Sequence, residues 1–144
     1  MTAGGDGRPA TCGRMYRTRV YPSTQSLARA LAEELGAMVG AVHVLPTGLS
    51  HDIAEAIRGV SERRGIEEPC APETTLIAAL NTDTGLAAAP PSRCTRAVII
   101  ITGEAMREPA RRFLRATYET DAGTLLREVE RVDVWLDADA WPLG

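Results

Sequence analysis

The run Ala97-Val98-Ile99-Ile100-Ile101 restricts the fold more than any other segment of this chain. Its β-branched residues favour extended backbone, and successive side chains of a strand point to opposite faces. A strand apolar on both faces must be covered on both, as an interior strand of a layered α/β sheet is. Residues 38–45 read the same way. Met38, Gly40, Val42 and Val44 point to one side, and Val39, Ala41, His43 and Leu45 to the other. The two segments are therefore expected as neighbouring, parallel, interior strands, with His43 a core histidine.

Helical spacing fills the intervals. Leu27, Ala28, Leu31 and Leu35 recur on one face after the N-cap residues Ser23 and Thr24, with Gly36 as the terminating glycine. Ser50 is placed to cap a second helix carrying Ile53, Ala54, Ile57 and Val60, which Gly65 closes. A third helix spans about 104–118, with Met106, Ala110, Phe113, Leu114 and Thr117 on its buried side. Leu125, Leu126 and Val129 suggest one more short helix. The segment 73–80 fits either a short helix opened by Pro72 or a strand, and 81–91, with Gly85 and two prolines, reads as a loop.

The resulting order is an α/β domain over 15–144. It consists of two β-α-β units around a central, mostly parallel sheet, preceded by a disordered leader at 1–14. A ferredoxin-like α+β sandwich is the alternative.

Two further segments alternate in character. In 16–21, Tyr16, Thr18 and Val20 oppose Arg17, Arg19 and Tyr21. In the last segment, Val132, Val134 and Leu136 oppose Asp133, Trp135 and Asp137. Both read as half-buried strands with a polar, solvent-facing side. The chain's charge is split in the same sense, with five Arg and one Asp up to Leu31, and seven acids and two Arg from Glu119 onward. Opposite charges on adjacent strands favour pairing, so the first and last strands are expected side by side.

Composition excludes several chemistries. The chain has 16 basic residues, all of them Arg. Without lysine there is no Schiff-base nucleophile and no P-loop lysine. The formal charge of −3 offers no basic footprint for nucleic acid. No apolar run approaches the length of a membrane span. The cysteines, Cys12, Cys70 and Cys94, form no C-x-x-C, so neither a disulfide framework nor a zinc site is indicated, and a cytoplasmic location is the natural expectation. No cofactor fingerprint is present. A stripe of Arg107, Arg111 and Arg115, with Arg112 beside it, reads as a solvated helix face tied by pairs such as Glu108–Arg112.

Two junctions resemble each other. Val44-Leu45-Pro46-Thr47-Gly48 and Ile100-Ile101-Thr102-Gly103 each lead from an apolar strand into a helix. In open α/β sheets ligands bind beyond the carboxyl ends of strands, where helix N-termini favour anions. Thr47, Gly48, Ser50, Thr102, Gly103 and Glu104 are thus the candidate ligand-binding residues, roofed by 81–91, with no metal site. The two histidines of the chain, His43 and His51, and the adjacent Asp52 are the candidates for proton transfer.

Two functions follow from different classes. The first is a small enzyme or binding protein for a small anionic metabolite. The second is a non-catalytic assembly or regulatory subunit, a homo-oligomer among its forms, whose contact face carries Tyr21 and Trp135.

Overall fold

The computed structural model describes residues 16–37, 41–64, 74–91, 94–115 and 120–142. The elements are β1 (Arg17–Tyr21), α1 (Thr24–Ala37), β2 (Ala41–Leu45), α2 (His51–Arg64), β3 (Thr74–Ala79) and β4 (Cys94–Ile101). A 3₁₀ turn (Glu104–Met106), α3 (Arg107–Arg115), α4 (Asp121–Leu125) and β5 (Arg131–Asp137) complete them. The leader, residues 38–40, Gly65, Cys12, Cys70, Thr117 and Glu119 lie outside the described residues.

Among the described residues five strands form one sheet, all parallel, in the order β1-β5-β4-β3-β2. This is the α/β fold, and the ferredoxin-like alternative does not apply. Of the segment 73–80, Thr74–Ala79 is a strand and Glu73 lies outside the described residues. Leu76, Ile77, Ala78 and Ala79 are buried on alternating faces, and only an extended chain between two layers needs that.

Two layers cover the sheet. On the first face, Leu27, Leu31 and Leu35 of α1 and Ile53, Ile57 and Val60 of α2 pack on Ile77, Val98, Ile100 and Trp135. On the second, Ala110 and Phe113 of α3, with Ala122, Leu126 and Val129, pack on Leu76, Ala97, Ile99, Ile101, Val134 and Leu136. The β4 run is thus sealed from both sides as its sequence requires. Gly36 lies within α1 rather than beyond it. Ser23 caps that helix through a reciprocal pair with Ser26, each backbone N–H donating to the other's hydroxyl at 3.1 Å.

The first and last strands are neighbours, with Arg17 opposite Asp133, Arg19 opposite Trp135 and Tyr21 opposite Asp137. The polar side of β5 does not face solvent, however. Asp133, Trp135 and Asp137 are 3%, 0% and 2% exposed, covered by α1. The two aspartates do not pair with the β1 arginines. Asp133 receives Arg96 at 2.7 Å and Arg131 at 3.3 Å, and Arg96 also reaches Glu34 of α1 at 3.3 Å. Asp137 accepts from the Thr24 hydroxyl at 2.9 Å, from the Gly103 N–H at 3.2 Å and from the Ala140 N–H at 3.0 Å. Arg19 lies over the Trp135 ring, 5.1 Å from its centroid. β1 itself is an exposed edge rather than half-buried, and Val20 is 42% exposed. Its arginines suit an edge that must not pair with another chain.

Residues 41–45 are also corrected. β2 is the opposite edge strand, separated from β4 by β3. His43 is exposed, not a core histidine, and Val44 and Leu45 are half-buried. Apolarity on both faces reports the covering layers, not the lateral neighbours.

One connection is unusual. α1 carries the chain from one edge to the other across the first face, and α2 brings it back one strand on the same face. Crossovers of opposite direction on one face have opposite hands, so one of them departs from the right-handed rule.

Ile100 is 2% exposed at the centre of the sheet. Ile100→Ala is expected to cost about 2–5 kcal/mol in denaturant unfolding. A loss below about 1 kcal/mol would show that β4 is not the core strand. Asp137→Ala, which strands three donors, is expected to cost about 3 kcal/mol, and Asp137→Asn less.

Candidate functional site

Parallel strands place both Thr-Gly junctions at the carboxyl edge of the sheet, although not on adjacent strands. What distinguishes them is where the chain goes next. From β2 it turns onto the first face through α2. From β3 it departs to the second face, where Leu80 and Leu86 join the α3 side and the Thr84 carbonyl accepts from Ala122 N–H at 2.8 Å. Adjacent strands with connections to opposite faces leave a crevice at their carboxyl ends.

The Pro46–Ser50 turn stands at the carboxyl ends of those two strands. Leu49 N–H closes on the Pro46 carbonyl at 3.2 Å, and Gly48 adopts φ 86°. A Cβ on Gly48 would lie 3.4 Å from that of Ala79, so the turn sits against the end of β3 in a conformation that disfavours side chains. Ser50 caps α2, its carbonyl accepting from Ala54 N–H at 2.9 Å and its hydroxyl lying 3.5 Å from Ile53 N. Thr47 is exposed, and Ser50 and Asp52 are half-buried.

The second junction is occupied from within. β1 leads to the first face and β4 to the second, with β5 between them, and the Asp137 carboxylate fills the gap. The Gly103 N–H is engaged there, at φ 94° and ψ 151°, a region that glycine alone tolerates readily. Thr102 is half-buried and Glu104 exposed at the start of the 3₁₀ turn.

The histidines do not share a cleft. His43 alternates with Val42 and Val44, which pack on the first face, so it projects towards the second. His51 opens α2 on the first face, 85% exposed and 3.8 Å from Glu55. Glu55 is held below the usual carboxylate range, chiefly by its hydrogen bond from Arg58 and by that charge, with His51 adding a smaller part. Neither histidine hydrogen-bonds or pairs with Asp52, and His51 turns to Glu55 instead.

Three arginines of the α3 stripe are tied down, Arg107, Arg111 and Arg112. Glu108 pairs with Arg111 rather than Arg112, Arg107 donates to the Asp139 carbonyl, and Arg112 donates to the Thr82 carbonyl. That last bond and the Ala122–Thr84 bond tie the 81–85 turn to α3 and α4, beside the second layer. Among the described residues, no group of three or more His, Cys, Asp and Glu is placed to hold a metal.

The opposite, amino edge holds a cleft that no sequence motif marks. It has a volume of about 840 Å³ and is lined by Arg19, Glu33, Glu34, Thr75, Arg96 and Arg131 among others. By register, Thr75, Arg96 and Arg131 form one row across β3, β4 and β5. The carboxyl-terminal half of α1 makes the facing wall.

No protein-family model and no curated protein matches the chain. Among solved structures, the crystal structure of devB protein is similar, with a TM-score of 0.57 at 12% identity, covering 88% of this chain and 98% of that one. At that identity the likeness shows the fold alone.

Cys94 is buried, and its thiol donates to the Arg96 carbonyl at 3.1 Å. Burial pushes the thiol up, against smaller lowering by the Leu76 and Arg96 backbone. Alkylation of Cys94 by iodoacetamide, followed by peptide mass spectrometry at pH 8, is therefore expected to be about tenfold or more slower in the native chain than in urea. Raised pKa leaves less thiolate and burial bars the reagent. Equal rates would show the site to be open.

Proposed function

We propose that the chain binds a small anionic metabolite at the carboxyl edge between β2 and β3, on the Pro46–Ser50 turn and the first turn of α2. The departure of β2 and β3 to opposite faces carries this reading, because it leaves a crevice where the N-terminus of a 14-residue helix meets solvent. Thr47 and Ser50 supply hydroxyls, and Gly48 brings backbone close. Of the second junction, Thr102 and Glu104 stand nearby in the proposal, while the Gly103 N–H already serves Asp137.

Catalysis narrows to His51. It lies in the first turn of α2, where it is open to a bound ligand, and Glu55 is in reach to orient it. His43 projects to the other side of its strand and drops out of that role. The ligand arrives from solution, and among the described residues no helix is long and apolar enough to cross a membrane.

A thermal-shift series with inorganic phosphate, sulfate and succinate tests the reading. A saturable rise in melting temperature is expected for at least one anion, equivalent to about 2.7 kcal/mol at a hundredfold excess over Kd. Thr47→Val with Ser50→Ala is expected to abolish the rise. No rise, or a rise that survives both substitutions, would overturn it. A melting temperature that depends on protein concentration, without any ligand response, would favour the assembly reading. That reading has lost the contact face first assigned to it, because Trp135 is fully buried.

A further inference from the structure

β1 runs along the edge of the sheet farthest from β2, and its outer side meets no described strand. Four of its residues are exposed and Tyr21 is half-buried, so the edge is open to solvent. An open edge presents unpaired backbone N–H and C=O groups, which pair with another strand unless side chains forbid it. The β1 arginines forbid it selectively. Antiparallel pairing with a second copy, centred on Thr18 or on Arg19, sets arginine opposite arginine. Like charges directly opposite destabilise a strand pair. An acidic strand meets no such penalty.

The positive charge of this edge is left over from the fold. Arg17 lies in register with Asp133, but that carboxylate is taken by Arg96 and Arg131. Glu34 of α1 is taken by Arg96 as well. Arg17 makes no hydrogen bond or ion pair with a described residue. Arg19 rests on the Trp135 ring, which holds it in place and leaves its charge in force. β1 contains no acid. Side chains alternate along the strand, so Arg17 and Arg19 share one face and the exposed Val20 stands on the other. The complement of that pattern is a strand alternating acid and apolar residues. β5 shows that β1 accepts such a strand, since its inner side already pairs with Asp133-Val134-Trp135-Leu136-Asp137.

We propose that the outer side of β1 docks an extended acidic segment of a protein partner as a further strand of the sheet. Its acids stand against Arg17 and Arg19, and an apolar side chain stands against Val20. Main-chain hydrogen bonds supply affinity in this mode, and alternate side chains select the partner. The anion site at β2 and β3 lies at the other side of the sheet, so the two proposals stand or fall separately.

Fluorescence anisotropy of a labelled, capped Asp-Val-Asp-Val-Asp-Val peptide with the full chain is the direct test. Saturable binding is expected, weakened by added salt, with none of the Lys-Val-Lys-Val-Lys-Val counterpart. The isomer Asp-Asp-Asp-Val-Val-Val is expected to bind at least about threefold more weakly, because only alternation places every acid on one face. Two backbone-methylated forms separate strand addition from charge attraction. One carries N-methyl groups on the aspartates and the other on the valines. A docked strand turns only one alternating set of amides to its neighbour, so one form is expected to lose binding and the other to keep it. Arg17→Glu, exposed and without a described partner, is expected to weaken binding at least about threefold with the melting temperature unchanged. Absence of saturable binding, or binding indifferent to Arg17→Glu, would overturn the proposal. Equal binding of the isomer, or of both methylated forms, would overturn it too, by reducing the edge to a charged surface.

Discussion

β5 holds α1 at both ends. Near the helix start, the Thr24 hydroxyl binds Asp137, and near its end, Glu34 reaches Arg96, which is bound to Asp133. The spans match. Ten helical steps from Thr24 to Glu34 rise about 15 Å, and four strand steps from Asp133 to Asp137 cover about 13 Å. Between the pins, Trp135 is fully buried beneath the helix layer, with Tyr21 and Arg19 against it. The long crossing from one sheet edge to the other relies on this fixation, because β1 itself is exposed and contributes little burial. The closure of one carboxyl-edge crevice and the floor of the amino-edge cleft both involve those two aspartates.

Those same residues mark where sequence reasoning stopped. Alternation of Asp133, Trp135 and Asp137 with Val132, Val134 and Leu136 ordinarily signals a strand with one wet face. Here the polar face is covered, because its carboxylates find an arginine, a hydroxyl and backbone N–H groups inside the protein. Pattern alone does not distinguish a solvated carboxylate from a paired one. The prediction that β1 and β5 adjoin succeeded for a related reason. Complementary charge gathers on neighbouring elements, although the actual pairs run to β4 and α1 instead of across the strand pair. β4, α1 and the cap at Ser50 were legible because burial on both faces, a 3.6-residue period and a capping hydroxyl are all local signals. The lateral place of β2 was not, since periodicity carries no information about strand order.

The amino-edge cleft did leave a trace. Glu33 and Glu34 fall in the last turns of α1, where the helix dipole disfavours acids; that turn has no basic residue, and Arg96 of β4 offsets Glu34 from across the sheet. Arg96 and Arg131 stand at or near the starts of strands β4 and β5, one row apart from the apolar core. A local choice that opposes helix electrostatics suggests that something else is satisfied there. The arginine stripe of α3 is the contrasting case. It was more conspicuous in sequence, yet Arg107, Arg111 and Arg112 are each tied to a carboxylate or carbonyl nearby.

The two Thr-Gly junctions show how little a short motif determines by itself. Each follows an apolar strand, and each contains a glycine at positive φ. One is filled because the strand beside it, β5, ends in a carboxylate of the right reach. The other stands next to β3, which ends in Ala79 and Leu80 and offers no such group. A backbone N–H already bound to a buried aspartate is not a donor for a ligand, whatever its sequence context. An open turn is therefore recognised by its neighbours across the sheet, not by its own residues. Those neighbours are fixed by strand order, which the anion-site proposal takes from the structure and could not have taken from Thr47 and Gly48.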